Sequence, residues 1–262
     1  MAQSELLMRT AGTTANTAGP GRQTHYSLLV AKDSTEVHAA QRLRYQVFAQ
    51  EMGASLPTEH LGVDADAFDR FCDHLVVREE ETGEIVGSYR MLPPEAARSA
   101  GQVYADDEFD LSALAPLRAS LVETGRSCVH PEHRSGAVIS MVWAGISRYM
   151  LLAGYEYLAG CASVPLHDGG ECAAGVWDLV SEKHFAPEQY RVHPRHAWDV
   201  DAAPRPRRRV VPPLVRGYLR LGAQVCGAPA FDPEFGVADF FTLLPMDRLD
   251  QRYLRFLVGK SE

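Results

Sequence analysis

The chain has 262 residues, 46% of them hydrophobic and 23% charged, with a formal net charge of −8. Such a chain can bury a core of useful size, and its acidic balance argues against a general nucleic-acid binder. Five cysteines, Cys72, Cys128, Cys161, Cys172 and Cys226, are scattered without CxxC spacing, which points to reduced thiols in a cytosolic protein rather than a disulfide framework.

Residues 1–24 are rich in Thr, Ala and Gly, lack an apolar signal core and read as a flexible tail. Residues 25–262 read as one domain. His25 to Ala31 is a first strand. Asp33 precedes Glu36 at capping-box spacing, and Val37, Ala40, Leu43 and Val47 recur at helical intervals, which predicts a helix to about Gln50 with Arg44 and Phe48 on one face. The acidic stretch from Glu51 to His74 has no period and reads as a long loop; ordered loops of that length are more often functional than connecting, and disorder is the competing reading. HLVVRE and EIVGSYRML, joined by Glu80, Glu81, Thr82 and Gly83, form a hairpin that Pro93 and Pro94 end. A polar excursion with one short helix runs to Pro116, and a strand begins near Ser120.

Beyond it, Val138, Ile139, Val142, Ile146, Tyr149, Met150 and Ala153 form the best helical stripe in the chain. No window reaches the ~18 uninterrupted apolar residues of a membrane span, because Arg148, Gly154 and Glu156 interrupt the best one. YEYLAGCASV is the next strand and Gly170 to Lys183 the next helix. His184 to Pro213 has no period. A helix around Leu214 to Leu221, a strand from Gly236 to Leu244 and a helix from Met246 to Val258 close the chain. Alternating elements with hairpins at the front predict an α/β fold with a mixed sheet covered by helices on both faces.

The stretch SLVETGRSCVHPEHRSG, Ser120 to Gly136, carries the chemistry. It holds Glu123 and Arg126 in a β-prone run and then meets the long helix. Three apart in a regular strand, these two side chains would point to opposite faces; a bulge at Gly125 would turn them to the same side. The alternative is a surface strand with two unrelated charges. The start of the following helix, with Arg134, Ser135 and Gly136, offers unpaired amides and a cation for a phosphate. His130 and His133 lack a third ligand nearby, so no metal is expected. Cys128 and His130 raise a covalent route, against which stands the commonness of a buried free thiol. Ser163 reads as a packed strand residue, since no GxSxG elbow surrounds it. Arg205, Arg207, Arg208 and Arg209 are either a solvated loop or a docking patch for an acidic carrier or an anionic membrane.

LRYQVFAQEMG (Leu43 to Gly53), DADAFD (Asp64 to Asp69), DHLVV (Asp73 to Val77), GSYRMLPP (Gly87 to Pro94) and ETGRSCVHPEHRSG (Glu123 to Gly136) resemble the acyl-carrier-dependent N-acyltransferases of the GNAT superfamily, closest to the ornithine N-acyltransferases that make lyso-ornithine lipids. GCASV (Gly160 to Val164) and the segment Pro212 to Phe241 are similar to that group too. The front half is also similar to acyl-homoserine-lactone synthases, which share the Arg44, Phe48, Asp66, Asp69, Arg90, Glu123 and Arg126 type of constellation. The resemblance implies a GNAT-like, mainly antiparallel sheet and a cleft where a long fatty acyl chain, plain or 3-hydroxylated, meets a small amino acid. The chain is carried as a thioester on the phosphopantetheine of an acyl carrier protein, so no separate cofactor is needed.

The expected roles follow. Glu123 anchors or deprotonates the amine, with Arg126 beside it. Arg44, Phe48, Asp66, Asp69 and Arg90 order the long loop and bind substrate. Arg134, Ser135, Gly136, Arg207 and Arg208 receive the carrier. The sparse HRSGAV loop, in place of a glycine-rich pyrophosphate loop, suits a single phosphodiester. A lactone-forming synthase and a non-catalytic carrier-binding module are the competing readings.

Overall fold

The computed structural model describes residues 5–9, 13–14, 23–134 and 136–249. In chain order the main elements are β1 (Glu5–Arg9), β2 (Tyr26–Ala31), α1 (Ser34–Tyr45), β3 (Asp73–Glu79), β4 (Ile85–Leu92), α2 (Pro94–Ala100), β5 (Leu121–Val129) and α3 (Gly136–Ala153). They continue as β6 (Tyr157–Pro165), α4 (Glu171–Lys183), α5 (Pro213–Leu221), β7 (Gln224–Val225), β8 (Ala230–Asp232) and β9 (Val237–Pro245). The chain divides into two compact units: Met1–Met91 with Gly125–Gly154 and Leu254–Glu262, and Leu92–Thr124 with Tyr155–Tyr253. The sequence reads as one domain.

In the first unit β1, β2, β3 and β4 are successive antiparallel neighbours. Adjacent residues of a strand point to opposite faces, and Leu28 and Leu29 of β2 use both. Leu29 packs with Ala40, Val37 and Val76 under α1. Leu28 meets α3, where a Cβ on Gly145 would lie 2.2 Å from its Cδ2, so glycine lets that helix sit close. Helices therefore cover both faces of these strands. α3 is long and apolar enough to cross a membrane by composition, yet half of it is buried, as in the core helix of a globular domain.

Asp33 caps α1 by accepting from the Glu36 amide at 2.8 Å, as its spacing predicts. The helix does not run on to Gln50 in α form. It widens into a π-helical turn over Gln46–Glu51. β1, within the stretch that reads as a tail, pairs with β2; most of that stretch lies outside the described residues.

The second unit is built on β6 and β9, paired antiparallel over nine residues from Val237↔Pro165 to Pro245↔Tyr157. Every residue of β9 is buried. β7 and β8 pair with β9, two short strands that the sequence does not signal. The start of β5 pairs with β6 in parallel, Leu121↔Tyr157 to Thr124↔Gly160, as a connection through a helix between them requires. Pro93 and Pro94 end the hairpin by opening α2, with Pro94 at its first turn. Of the closing helix expected from Met246 to Val258, the described part is a 3-10 turn, Met246–Arg248; residues 250–258 lie outside the described residues. The fold is thus the mixed, mainly antiparallel α/β arrangement expected.

Candidate active site

In the first unit the long loop is tied down by ions. Arg44, 0% exposed, projects from the last turn of α1 and grips Asp69 with a bidentate fork, Nη1 to Oδ1 at 2.9 Å and Nη2 to Oδ2 at 2.8 Å. Its Nη2 also donates to the Asp64 carbonyl, and its Nε lies 2.9 Å from Asp64 Oδ2. Arg90, on β4, donates to both oxygens of Asp66 at 2.7 Å and to Asp69 Oδ1 at 3.1 Å. Arg126 lies 3.3 Å from Asp64 Oδ2 and 3.6 Å from Asp66 Oδ2. Three guanidiniums thus face three carboxylates, and the buried cluster is close to neutral.

Burial alone would favour the neutral form of Asp69, but the hydrogen bonds and charge of Arg44, with Arg90 and Gln41, outweigh it and hold the carboxyl well below its usual range. Burial would also lower Arg90, and Asp66 with its neighbours raises it instead. Burial lowers His74, whose Nε2 faces the Asp69 carbonyl at 3.0 Å. Phe48 is buried in the π-helical turn. The strand irregularity falls on Arg126 itself, at φ 52°, rather than on Gly125. A left-handed non-glycine residue is a strained conformation, here held by its contacts with Asp64 and Asp66.

In the second unit Glu123 is buried and works as a clamp. Its Oε2 accepts from the Tyr104 amide at 2.5 Å and its Oε1 from the Ala105 amide at 2.7 Å. These are the first amides of the 3-10 turn Tyr104–Asp106, where a carboxylate is favoured. Arg118 holds the same turn through Asp106, at 2.9 and 2.5 Å. Val103, Leu111, Leu114 and Phe241 help to enclose a cavity of about 10 Å³ beside Glu123, room for about one water. Thr124 Oγ1 donates to the Ala159 carbonyl at 3.1 Å and lies 3.1 Å from the Tyr218 hydroxyl of α5.

A third group was not foreseen. One ligand atom each from Glu108, Cys161 and Asp239 lies within 4.8 Å of the others. The Cys161 thiol donates to Glu108 Oε2 at 3.6 Å, and the Ser163 hydroxyl to Asp239 Oδ1 at 2.5 Å. Burial, then Asp239 and Asp232, push the Glu108 carboxyl up to about 9. Ser163 is exposed rather than packed. The group arises from the pairing Asp239↔Ser163 and Phe241↔Cys161, and no local pattern announces it. Asp64 and Gln41, also outside the expected set, do carry a signal: one stands two residues before Asp66, the other one helical turn before Arg44.

Arg134 is committed to Glu51 by two bonds of 2.6 Å and to the Val129 carbonyl at 3.1 Å. A phosphate at this helix start must therefore displace Glu51. Gly136 opens α3, and Ser135 lies outside the described residues. His133 faces the Tyr26 hydroxyl at 3.0 Å, and His130 accepts from the Glu132 amide. Arg207 and Arg208 are exposed.

The acetyltransferase (GNAT) domain family matches residues 43–144. An L-ornithine N(alpha)-acyltransferase of Rhodobacter capsulatus is 36% identical over 255 residues, 90% of this chain and 96% of that protein. The chain belongs to the L-ornithine N(alpha)-acyltransferase family. A second member, from Brucella abortus, is 34% identical over 261 residues, 90% of each chain. Among solved structures, FeeM, an N-acyl amino acid synthase from uncultured soil microbes, matches with TM-score 0.53 at 12% identity, over 86% of this chain and 92% of that one. The CoA-dependent acyl-homoserine lactone synthase BjaI matches with TM-score 0.51 at 15% identity, over 87% and 84%. At those identities the likeness is one of fold. This family member is an acyltransferase with a GNAT domain.

A covalent route in the acyltransferase through Cys128 does not suit its surroundings. The thiol is buried, and that burial pushes it up to about 12, so almost no thiolate exists at neutral pH. Cys128→Ala is expected to keep kcat within about three-fold in a steady-state acyl-transfer assay, since the nucleophile is then the amine itself; a loss of two or more orders of magnitude would restore the cysteine route.

Proposed function

We propose that the acyltransferase moves a long fatty acyl chain, plain or 3-hydroxylated, from the phosphopantetheine thioester of an acyl carrier protein to the α-amine of ornithine, giving a lyso-aminolipid. The relatives' names support the acceptor. The structural observation that carries it is the group formed by Glu108 and Asp239, with Asp232 and Glu123 also acting on Glu108. Like charges and burial keep Glu108 from ionising; an ammonium seated there removes the repulsion and restores its charge. Ornithine brings two ammonium groups, one to be acylated and one to be held.

In the reaction the amine lone pair attacks the thioester carbonyl carbon, the C–N bond forms and the C–S bond breaks. The ammonium gives up two protons in all, one to solvent by way of a carboxylate and one carried off on the departing thiol. Glu123, fixed by the Tyr104 and Ala105 amides, is the proposed anchor and proton acceptor. The Arg44–Asp69 and Arg90–Asp66 pairs set the loop that precedes β3. The reaction is placed in the cytoplasm, where thiols stay reduced, and its amphiphilic product enters the adjoining bilayer.

Expression in a host without aminolipids, followed by lipid mass spectrometry, tests the reading. A new zwitterionic species that releases ornithine and one fatty acid on hydrolysis is expected. With purified protein, 2-aminopentanoic acid, which lacks only the δ-amine, is expected to have kcat/KM at least about 100-fold below ornithine, because it brings no ammonium to pair with Glu108 and Asp239. Appearance of an acyl-homoserine lactone, or carrier binding without turnover, would overturn the proposal.

A further inference from the structure

The chain as a whole carries −8, yet no acidic residue occurs between Asp201 and Asp232, where six arginines stand: Arg205, Arg207, Arg208, Arg209, Arg216 and Arg220. The fold gathers four of them. Arg208 and Arg209 from the irregular segment before α5, and Arg216 and Arg220 one turn apart on α5, line an open groove of ~500 Å³ whose apolar lining includes Leu179, Val211 and Leu219. Arg216 and Arg220 are exposed. Arg209 pairs with Glu182 at 3.2 Å, and Arg216 Nη2 donates to the Val211 carbonyl at 2.8 Å. Among the described residues no carboxylate pairs with Arg208, Arg216 or Arg220. Among the described residues three cations without a carboxylate partner thus surround an apolar trough, on a chain whose net charge is −8.

We propose that this groove is the docking surface for an acidic, helical carrier protein; the inference rests on the carrier-dependent transfer proposed above and adds where the carrier binds. A single phosphodiester brings about one negative charge, too few for three uncompensated guanidiniums, whereas a helix bearing several carboxylates matches them in number. The trough is concave with its apolar side chains inside, which suits an amphipathic helix laid into it better than the flat surface of a bilayer. The groove also connects to the proposed chemistry within the same unit. Tyr218 lies between Arg216 and Arg220 on α5, and its hydroxyl meets Thr124, the neighbour of Glu123, at 3.1 Å. A carrier held on the outer side of α5 is one helix thickness, about 10 Å, from that strand.

The test compares two donors for the same enzyme, an acyl carrier protein loaded with a fatty acyl thioester and the same acyl group on free pantetheine. The double variant R216E/R220E is expected to raise KM for the acyl carrier at least ~10-fold while changing kcat/KM for acyl-pantetheine less than about two-fold. Raising the salt concentration is expected to raise the wild-type KM for the carrier and to leave the variant's nearly unchanged. R216A/R220A, with less perturbation of α5, is expected to fall between the two. Equal KM values for the carrier in wild type and R216E/R220E would overturn the docking proposal. So would loss, with those equal KM values, of co-sedimentation with vesicles containing anionic phospholipid, which would assign the groove to a membrane. Absence of transfer from either donor by the wild type would instead overturn the proposed function.

Discussion

Glu123→Gln is expected to lower kcat by about 10²–10⁴-fold, the range associated with removal of a general base, while the protein remains folded with a lower Tm. Both carboxylate oxygens accept backbone amides, Tyr104 at 2.5 Å and Ala105 at 2.7 Å. Glutamine offers one carbonyl oxygen and one NH2 group, so one of those amides must face a donor. A buried amide left without an acceptor costs about 1–3 kcal/mol, which sets the fall in Tm. Structure and chemistry separate in the pH profile. If Glu123 acts on the amine, the acidic limb of kcat/KM vanishes in the variant; if it only clamps the Tyr104–Asp106 turn, the limb survives at reduced height. A fully active Glu123→Gln enzyme would sink the assignment.

Arg44→Met is expected to destabilise the protein by about 3–5 kcal/mol in urea unfolding, because removal of one partner leaves buried charge uncompensated. Asp64 and Asp69 would be the stranded acids. Arg44→Lys is expected to rescue little, since an ammonium cannot reproduce the fork on Asp69. The same pair is expected to contribute to acid unfolding. Asp69 has its carboxyl held below the ordinary 3.8 in the folded protein. Its contribution is therefore complete above that value and is lost as pH falls from 3.8 toward the lower folded value. Asp69→Asn is expected to be less stable at neutral pH and to show a shallower loss of stability below pH 4. Parallel stability–pH curves for the two proteins would exclude Asp69 as the titrating group.

Much of the frame can be read along the chain because its causes are local. Asp33 and Glu36 mark the start of α1, the prolines mark the end of the hairpin, and the stripe from Val138 to Ala153 marks α3. The ionic partners Arg44, Asp66, Asp69, Arg90 and Arg126 were recognisable through family motifs, and the structure brings them together in one unit. What could not be read depends on distant register. Glu51 and Arg134 are 83 residues apart, and Cys161 meets Glu108 and Asp239 only because β6 and β9 pair as they do. The strained position in β5 was expected at the glycine; it falls one residue later, because Arg126 is held there by two aspartates and needs no glycine to adopt φ 52°.

The widened turn at Gln46–Glu51 places a limit on chain length. It closes with bonds from Met52 to Val47 at 3.0 Å and from Ala54 to Phe48 at 2.8 Å, spans longer than an ordinary helix allows. Deleting one residue there would let the backbone rewind to α form, and everything after it would rotate by about 100°. The aspartates that follow would then miss the guanidinium waiting on α1. Natural variation should accordingly keep the number of residues in this turn fixed, with the buried Val47 and Phe48 constrained in size, while gaining and losing residues only further on, between Ser55 and Gly62.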